Sequence, residues 1–77
     1  MNIAIIGTGA YGMALASIFY DNKCNIKMWT NSDEEKNMLL KSGKSDKVDF
    51  IIPKDIVIST DMKEVIEDAN IIMIAIP

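Results

Sequence analysis

Three glycines within the first twelve residues constrain the fold of this chain more than any other feature. The stretch reads IAIIGTGAYGMALA over residues 3–16, so a short apolar run stops at G-x-G-x-x-G and an Ala- and Leu-rich segment follows. This order predicts a strand, a tight turn and a helix. Gly7 would permit the turn, Gly9 would let a ligand approach the backbone, and Gly12 would let the helix pack close to the strand.

The same spacing is the fingerprint of a turn that binds the pyrophosphate of a dinucleotide. Three glycines alone are weak support, since glycines also form turns that bind nothing. Here a strand precedes them, a helix follows, and a second strand at residues 25–29, where Ile26 and Met28 alternate with Lys27, completes a unit of about thirty residues. We therefore expect phosphates to lie against free N–H groups at the positive end of the helix dipole. The candidate binding residues of the turn are Gly7, Gly9, Ala10, Tyr11 and Gly12. The Tyr11 ring either covers the ligand or packs at the surface.

Strand and helix patterns alternate along the rest of the chain. We predict strands at residues 2–6, 25–29, 56–59 and 71–76, and helices at residues 10–20, 33–42 and 61–68. Ser32 with Glu35 fits a capping box at the second helix. Asp61 and Glu64 fit one at the third, and Asn22 can take the left-handed conformation that ends the first helix. The inward-facing side chains are predicted to be Met13, Ala14, Leu15, Ile18, Phe19, Met28, Met62, Val65, Ile66 and Met73, with residues 50–53 covering the sheet edge.

The order β-α-β-α-β-α-β predicts an α/β fold, a partial Rossmann-type doubly wound parallel sheet with strand order 3-2-1-4. Ligands bind outside the carboxyl ends of such strands, at the switch point between strands one and four. The other candidate binding residues at this edge are Trp29, Thr30, Asn31, Ser32, Ile76 and Pro77. The last apolar run stops at Pro77 with no helix after it to cover it. We therefore expect residues 1–77 to be the N-terminal part of a longer nucleotide-binding protein, cut just after its fourth strand.

The end of the second strand bears on the choice between NAD and NADP. NAD sites usually hold an Asp or Glu there, which binds the adenosine ribose. Here the neutral Thr30, Asn31 and Ser32 could donate to a 2′-phosphate, which favours NADP. The chain has no arginine to bind such a phosphate in a bidentate manner, so use of both cofactors stays open. Alternatively, Ser32 only caps the helix and Trp29 only packs against it.

Composition excludes several other classes of function. The net charge of −3 and the lack of a Lys/Arg cluster argue against a nucleic-acid or anionic-membrane partner. No apolar run approaches the length of a membrane span. Cys24 is the one cysteine, which indicates a reducing cytoplasm, and the chain has no histidine to activate it. We predict no catalytic residue and no metal site in this chain.

Four segments resemble those of a known family. The run GTGAYGMALA at residues 7–16 is similar to the G-x-G-[S/A]-[W/Y]-G-T-A-L-A opening of bacterial NAD(P)-dependent glycerol-3-phosphate dehydrogenases. Residues 28–29 resemble that family's L-W, residues 52–61 its L-P-x-N-I-x-x-T-x-D segment, and residues 68–77 its D-A-D and strand-four V-P ending. The four segments occur in the family's order and cover nearly the whole chain.

The resemblance implies an enzyme that interconverts dihydroxyacetone phosphate and sn-glycerol 3-phosphate, a precursor of glycerophospholipids. It assigns cofactor contacts to Ala10, Tyr11 and Asn31, although Asn31 stands where the family often has Arg or His. Met13 replaces the usual Thr, and the stretch before Ile52 lacks the family's Y-L-P-G. The family's catalytic lysine and phosphate-binding residues belong to a helical C-terminal domain. The resemblance therefore implies that a small phosphorylated substrate binds only in the full-length protein and that this chain alone is inactive.

Two other interpretations stay open at this point. The chain could belong to another hydride-transfer enzyme, such as a hydroxyacid dehydrogenase or a pyrroline-carboxylate reductase, although the pairs at residues 11–12 and 28–29 argue against it. It could also be a non-catalytic nucleotide-binding module complete at this length. In that case the apolar fourth strand would be an open edge, which is an aggregation hazard. We expect the isolated chain to self-associate.

Overall fold

A four-stranded parallel sheet forms the centre of the molecule, and helices lie on both of its faces. The computed structural model describes residues 1–76. Its elements are β1 (Asn2–Ile6), α1 (Ala10–Asp21), β2 (Asn25–Trp29), α2 (Asp33–Ser42), β3 (Val57–Ser59), α3 (Met62–Ile66) and β4 (Ile71–Ile74). The strands are all parallel in the order β3-β2-β1-β4, which confirms the predicted topology.

The strand β1 lies between β2 and β4, and it is buried on both faces because helices cover each side of the sheet there. Ile3 and Ile5 face one layer, where they pack with residues of α1 and α2. Ala4 and Ile6 face the other, where they pack with Val65 of α3. These four β1 side chains are at most 3% exposed, which explains why the strand reads as an uninterrupted apolar run.

Several predicted boundaries were wrong by one or two residues. The strand β3 starts one residue later than predicted, and β4 and α3 each end two residues earlier. The left-handed residue after α1 is Lys23, with φ 63°, and not Asn22, with φ −91°. The helix runs one residue further than predicted, and the Cys24 and Lys23 N–H groups donate to the Phe19 and Tyr20 carbonyls at 3.1 and 2.9 Å. This Schellman pattern requires the left-handed residue at position 23.

The predicted inward faces of α1 and α3 were partly wrong. The helix α1 buries Gly12, Met13 and Ala16, whereas Ile18 is 56% exposed. The close approach of Gly12 to the glycine turn fixes the rotation of α1. With that rotation Gly12 and Ala16 face the sheet, and Ile18 lies at the side of the helix. In α3 only Val65 is buried, because the helix has just five residues and one of them faces the sheet; Met62 and Ile66 are exposed.

The irregular segment between α2 and β3 contributes one side chain to the core. Ile52 is buried there, and its N–H donates to the Gly43 carbonyl at 2.9 Å. The neighbouring Ile51 points into solvent, so the predicted apolar cover at residues 50–53 is only partly formed. Within residues 1–76 no helix has the length and apolar character needed to cross a membrane.

Candidate nucleotide-binding site

A cavity of about 700 Å³ opens at the carboxyl edge of the sheet. Its volume is in the range of small-molecule binding sites. The wall is formed by Gly7, Thr8, Gly9, Ala10, Tyr11, Trp29, Thr30, Asn31, Glu35, Ile74, Ala75 and Ile76. Three loops that are distant in the sequence, after β1, β2 and β4, therefore meet at the switch point between β1 and β4.

Gly7 and Gly12 shape the turn through backbone packing. Gly7 has φ 132°, and a Cβ atom there would lie 2.8 Å from the Ala75 carbonyl oxygen. A Cβ atom at Gly12 would lie 2.3 Å from the Gly7 carbonyl oxygen. Both positions require glycine because backbone atoms occupy the space of a side chain. Gly12 is thus a packing residue and lies outside the cavity wall.

Gly9 differs from the other two glycines of the turn. Its φ of −74° is accessible to any residue, and no atom lies within 4 Å of a Cβ atom built there. Packing among residues 1–76 therefore gives no reason for a glycine at this position. The open space in front of Gly9 is the cavity itself, so a small residue here leaves the backbone accessible to a ligand.

The N-terminus of α1 lacks the anionic groups found at the other two helices. Ser32 caps α2 and Asp61 caps α3, and both helices carry acidic residues in the first turn. In α1 the cap residue is Gly9, no side chain caps the helix, and the first turn has no acid. Within residues 1–76 the N–H groups of Ala10 and Tyr11 have no hydrogen-bond acceptor. These donors and the helix dipole favour an anion at the cavity edge of the turn.

Tyr11 lies at the mouth of the cavity, on the first turn of α1. Its side chain is 62% exposed and belongs to the cavity wall. The ring is therefore accessible to solvent beside the glycine turn. Ile76, which follows β4, is also exposed and lines the wall. Pro77, another predicted site residue, lies outside the described residues.

At the end of β2 the polar residues are divided between the cavity and the start of α2. Trp29 is half-buried and its Nε1–H donates to the Thr60 carbonyl at 3.0 Å. Thr30 is buried, lines the cavity, and accepts the Ser32 N–H on Oγ1 at 3.3 Å. Asn31 is exposed in the wall. Ser32 caps α2 by accepting the Glu35 N–H at 3.1 Å and lies outside the wall.

Glu35 is a wall residue that the sequence interpretation missed. A capping box would direct its carboxylate back to the Ser32 N–H, but that group already donates to Thr30. The carboxylate instead accepts the hydroxyl of Thr8, in the glycine turn, and lies 3.3 Å from the Lys47 Nζ. A Thr in the turn and an acid in the first turn of the helix after the adjacent strand were the available signals for this contact. Ile74 of the wall was also missed, because its role follows from the tertiary packing, whereas Thr8 and Ala75 lie in loops that were expected at this edge.

The sequence of the chain matches a known family over the same residues that build this cavity. The profile described as "NAD-dependent glycerol-3-phosphate dehydrogenase N-terminus" matches residues 2–77. The chain belongs to this family. The resemblance found in the sequence is thereby confirmed, and the fold is the Rossmann-like α/β arrangement that it implied.

Curated relatives carry the name glycerol-3-phosphate dehydrogenase [NAD(P)+]. The one from Brachyspira hyodysenteriae is 35% identical over 79 residues, which cover 100% of this chain and 23% of the relative. The relative from Leptospira biflexa is 34% identical, covering 100% of this chain and 24% of the relative. The one from Streptococcus uberis is 34% identical, covering 97% and 23%. The chain thus spans about a quarter of the length of these glycerol-3-phosphate dehydrogenases.

The cavity wall of this glycerol-3-phosphate dehydrogenase N-terminus carries little charge. Among residues 1–76 the wall contains one charged side chain, Glu35, and the rest are neutral. Cys24, at the other end of α1, is not part of it. The described residues contain no cluster of side chains suited to hold a metal ion. The arrangement offers binding groups, chiefly backbone N–H donors and apolar surface.

Proposed function

We propose that residues 1–77 are the N-terminal part of the NAD(P)-binding domain of an sn-glycerol-3-phosphate dehydrogenase, and that NAD(P)H binds in the cavity at the carboxyl edge of the sheet. The observation that carries the proposal is the uncapped start of α1 beside the open face of Gly9. A pyrophosphate would accept hydrogen bonds from the Ala10 and Tyr11 N–H groups there. The family and the names of the relatives support a nicotinamide dinucleotide as the ligand.

The residues present fit the parts of such a cofactor. Gly9, Ala10 and Tyr11 would hold the pyrophosphate with backbone N–H groups. The adenosine half would lie towards Trp29, Thr30 and Asn31, since the second strand of this fold contacts the ribose. The nicotinamide half would lie towards the residues after β4, including Ile76 and Pro77. The cofactor would supply the hydride, and these residues would orient it and exclude water from its apolar side.

We further propose that the complete protein transfers a hydride between NAD(P)H and dihydroxyacetone phosphate to supply glycerophospholipid precursors. The relatives' name supports this reaction, and they extend about four times the length of this chain. The catalytic and substrate-binding residues would lie outside residues 1–77, so the 77-residue chain would bind cofactor without turnover. We also propose a cytoplasmic location, on the basis of the unpaired Cys24 in a single-cysteine chain.

A binding titration tests the cofactor site directly. Purified chain is titrated into NADH and into NADPH while nicotinamide fluorescence is followed, with calorimetry as a second measurement. We expect saturable binding of at least one dinucleotide, and no oxidation of sn-glycerol 3-phosphate with NAD or NADP. Failure of both dinucleotides to bind at millimolar concentration to chain that is folded by circular dichroism would refute the proposed site. Turnover by the 77-residue chain would refute the assignment of catalysis to residues outside it.

The preference for NADP drawn from the sequence is not part of this proposal. It depended on three neutral donors at the end of β2. In the structure Ser32 lies outside the cavity wall and Thr30 is buried, so Asn31 is the exposed donor of the three. Equal affinities for NADH and NADPH would count against that preference.

We also propose that the isolated chain self-associates through β4, with a second copy of the chain as the partner. This strand forms one edge of the sheet, and Ile72 and Ile74 on it are 49% and 64% exposed. An apolar edge strand can pair with another such edge. Light scattering over a concentration series should show dimers or larger species, and Ile74→Lys should shift the distribution to monomer. A wild-type chain that stays monomeric at millimolar concentration would refute this proposal.

A further inference from the structure

The position of Glu35 bears on which dinucleotide the cavity accepts. Its carboxylate is held from both sides, by the Thr8 hydroxyl and by Lys47 Nζ at 3.3 Å. Thr8 is 4% exposed, and the Glu35 side chain retains 28% of its exposure. The carboxylate is therefore anchored at the junction of the glycine turn and α2, with part of its surface directed to the cavity.

This junction is the adenosine side of the proposed site. Glu35 shares the cavity wall with Trp29, Thr30 and Asn31, which follow the second strand. The adenosine ribose contacts this part of the fold, and the 2′-phosphate of NADP is attached to that ribose. A 2′-phosphate would thus enter the region where the wall carries its negative charge.

Cations near this position do little to offset the charge. Lys47 is the lysine in contact with Glu35, and its Nζ also lies 3.7 Å from Asp46. One ammonium group is therefore shared between two carboxylates. The chain has no arginine, and no lysine among residues 1–76 lines the cavity. An added phosphate would meet net repulsion, because one ammonium group shared by two carboxylates leaves a net negative charge at this position.

We infer that Glu35 is a specificity-determining residue that disfavours the 2′-phosphate, so that the chain binds NAD(H) more tightly than NADP(H). This inference rests on the proposed function of the cavity. It opposes the NADP preference suggested by the neutral residues at the end of β2, because the deciding charge comes from a residue six positions beyond that strand. The other acids of the first turn of α2 do not have this position: Asp33 accepts the Thr60 hydroxyl at 3.1 Å, and Glu34 is exposed. Neither belongs to the cavity wall.

The test separates the effect of the Glu35 charge on binding from the effect of the shape of its side chain. Glu35→Gln keeps an oxygen that accepts the Thr8 hydroxyl and removes only the charge. Glu34→Gln removes the same charge from the neighbouring exposed residue and is the matched control. Lys47→Met removes the partial compensation and should act in the opposite direction. Dissociation constants for NADH and NADPH are measured for the wild-type chain and the three variants at low and at physiological ionic strength.

We expect the wild-type chain to bind NADH more tightly than NADPH. In Glu35→Gln the ratio of the NADPH to the NADH dissociation constant should fall about tenfold, with the NADH value changed less than twofold. The ratio should rise in Lys47→Met and stay within twofold in Glu34→Gln. The wild-type ratio should also fall as salt is added, since screening weakens the repulsion.

Three results would overturn the inference. An unchanged ratio in Glu35→Gln, or an equal loss of affinity for both dinucleotides, would show that Glu35 only supports the turn. Tighter binding of NADPH than NADH by the wild-type chain would contradict the inferred preference while leaving the proposed site intact. Binding of neither dinucleotide by folded wild-type chain would instead refute the proposed function, and this inference with it.

Discussion

Replacing Gly9 with alanine should weaken cofactor binding without weakening the fold. The residue has φ −74°, and a Cβ atom there has no neighbour within 4 Å, so the methyl group enters the cavity without strain. Alanine is a poorer helix cap than glycine, which costs a few tenths to about 1 kcal/mol. Alanine also has less conformational entropy than glycine in the unfolded chain, which stabilises the folded state by about 0.4–1 kcal/mol. The two effects nearly cancel, so the thermal midpoint should move by less than about 4 °C.

The same methyl group should interfere with the ligand. It would stand between the backbone of the turn and a pyrophosphate that approaches the N–H groups of Ala10 and Tyr11. Loss of one hydrogen bond to a charged group costs about 1.5–3 kcal/mol. The dissociation constant for NADH should therefore rise about ten- to a hundredfold. Nicotinamide fluorescence gives the affinity, and thermal unfolding followed by circular dichroism gives the stability.

Gly12→Ala is the comparison variant, because its main effect should be on the stability of the fold. A Cβ atom there would lie 2.3 Å from the Gly7 carbonyl oxygen, so α1 must move away from β1. Overpacking of this kind costs about 1–3 kcal/mol or more, a large part of the roughly 4–12 kcal/mol available to a domain of this size. If Gly9→Ala lowered stability as much as Gly12→Ala, or left the NADH affinity unchanged, the assignment of Gly9 to ligand approach would be refuted.

Three further changes test other features of the molecule. Tyr11→Ala should raise the NADH dissociation constant several-fold by fluorescence titration and leave thermal stability unchanged, since the ring is mostly exposed; an unchanged affinity would mean that the ring does not cover the ligand. Asp61→Ala removes the acceptor for two N–H groups of α3 and should lower the free energy of unfolding by about 0.5–2 kcal/mol in urea titrations; no loss would show that the cap is dispensable. The hydrogen bond from the Tyr20 hydroxyl to Asp55, assisted by burial and by the charge of that carboxylate, raises the pKa of Tyr20. A raised folded-state pKa means that this stabilisation is complete below about pH 10 and is lost as pH rises through that pKa. Tyr20→Phe should therefore flatten the fall in thermal stability above about pH 10, and an identical fall in both proteins would contradict this account.

Local backbone chemistry made much of the fold predictable from the sequence. Glycine spacing, the stop of the apolar run at Gly7 and the Ser32 cap each act within a few residues, and the corresponding elements β1, β2 and α2 have their predicted bounds. The strand order followed because parallel neighbours require crossover connections of one hand. The loops that meet at the cavity then followed from the topology.

The features that could not be predicted depend on contacts between distant segments. Ile18 is exposed because the backbone contact of Gly12 with the turn fixes the rotation of α1, and no periodicity in the helix itself encodes that rotation. Glu35 reaches the cavity because Thr30 has taken the N–H group that a capping box would use. In both cases the local sequence permits more than one arrangement, and contacts with a distant segment decide which one forms.

The packing of Ala75 against Gly7 ties the final support of the glycine turn to the docking of β4 beside β1. The Ala75 N–H donates to the Ile6 carbonyl at 2.9 Å, and its own carbonyl fills the space beside Gly7. Residues 68 positions apart must therefore meet before the turn has its final support, and closing so long a loop is slow compared with local helix formation. During synthesis, the turn emerges from the ribosome before β4 and acquires this support only after β4 has emerged. A ligand held at the turn would favour the docked state of β4. It would thereby stabilise the contact between these two distant segments.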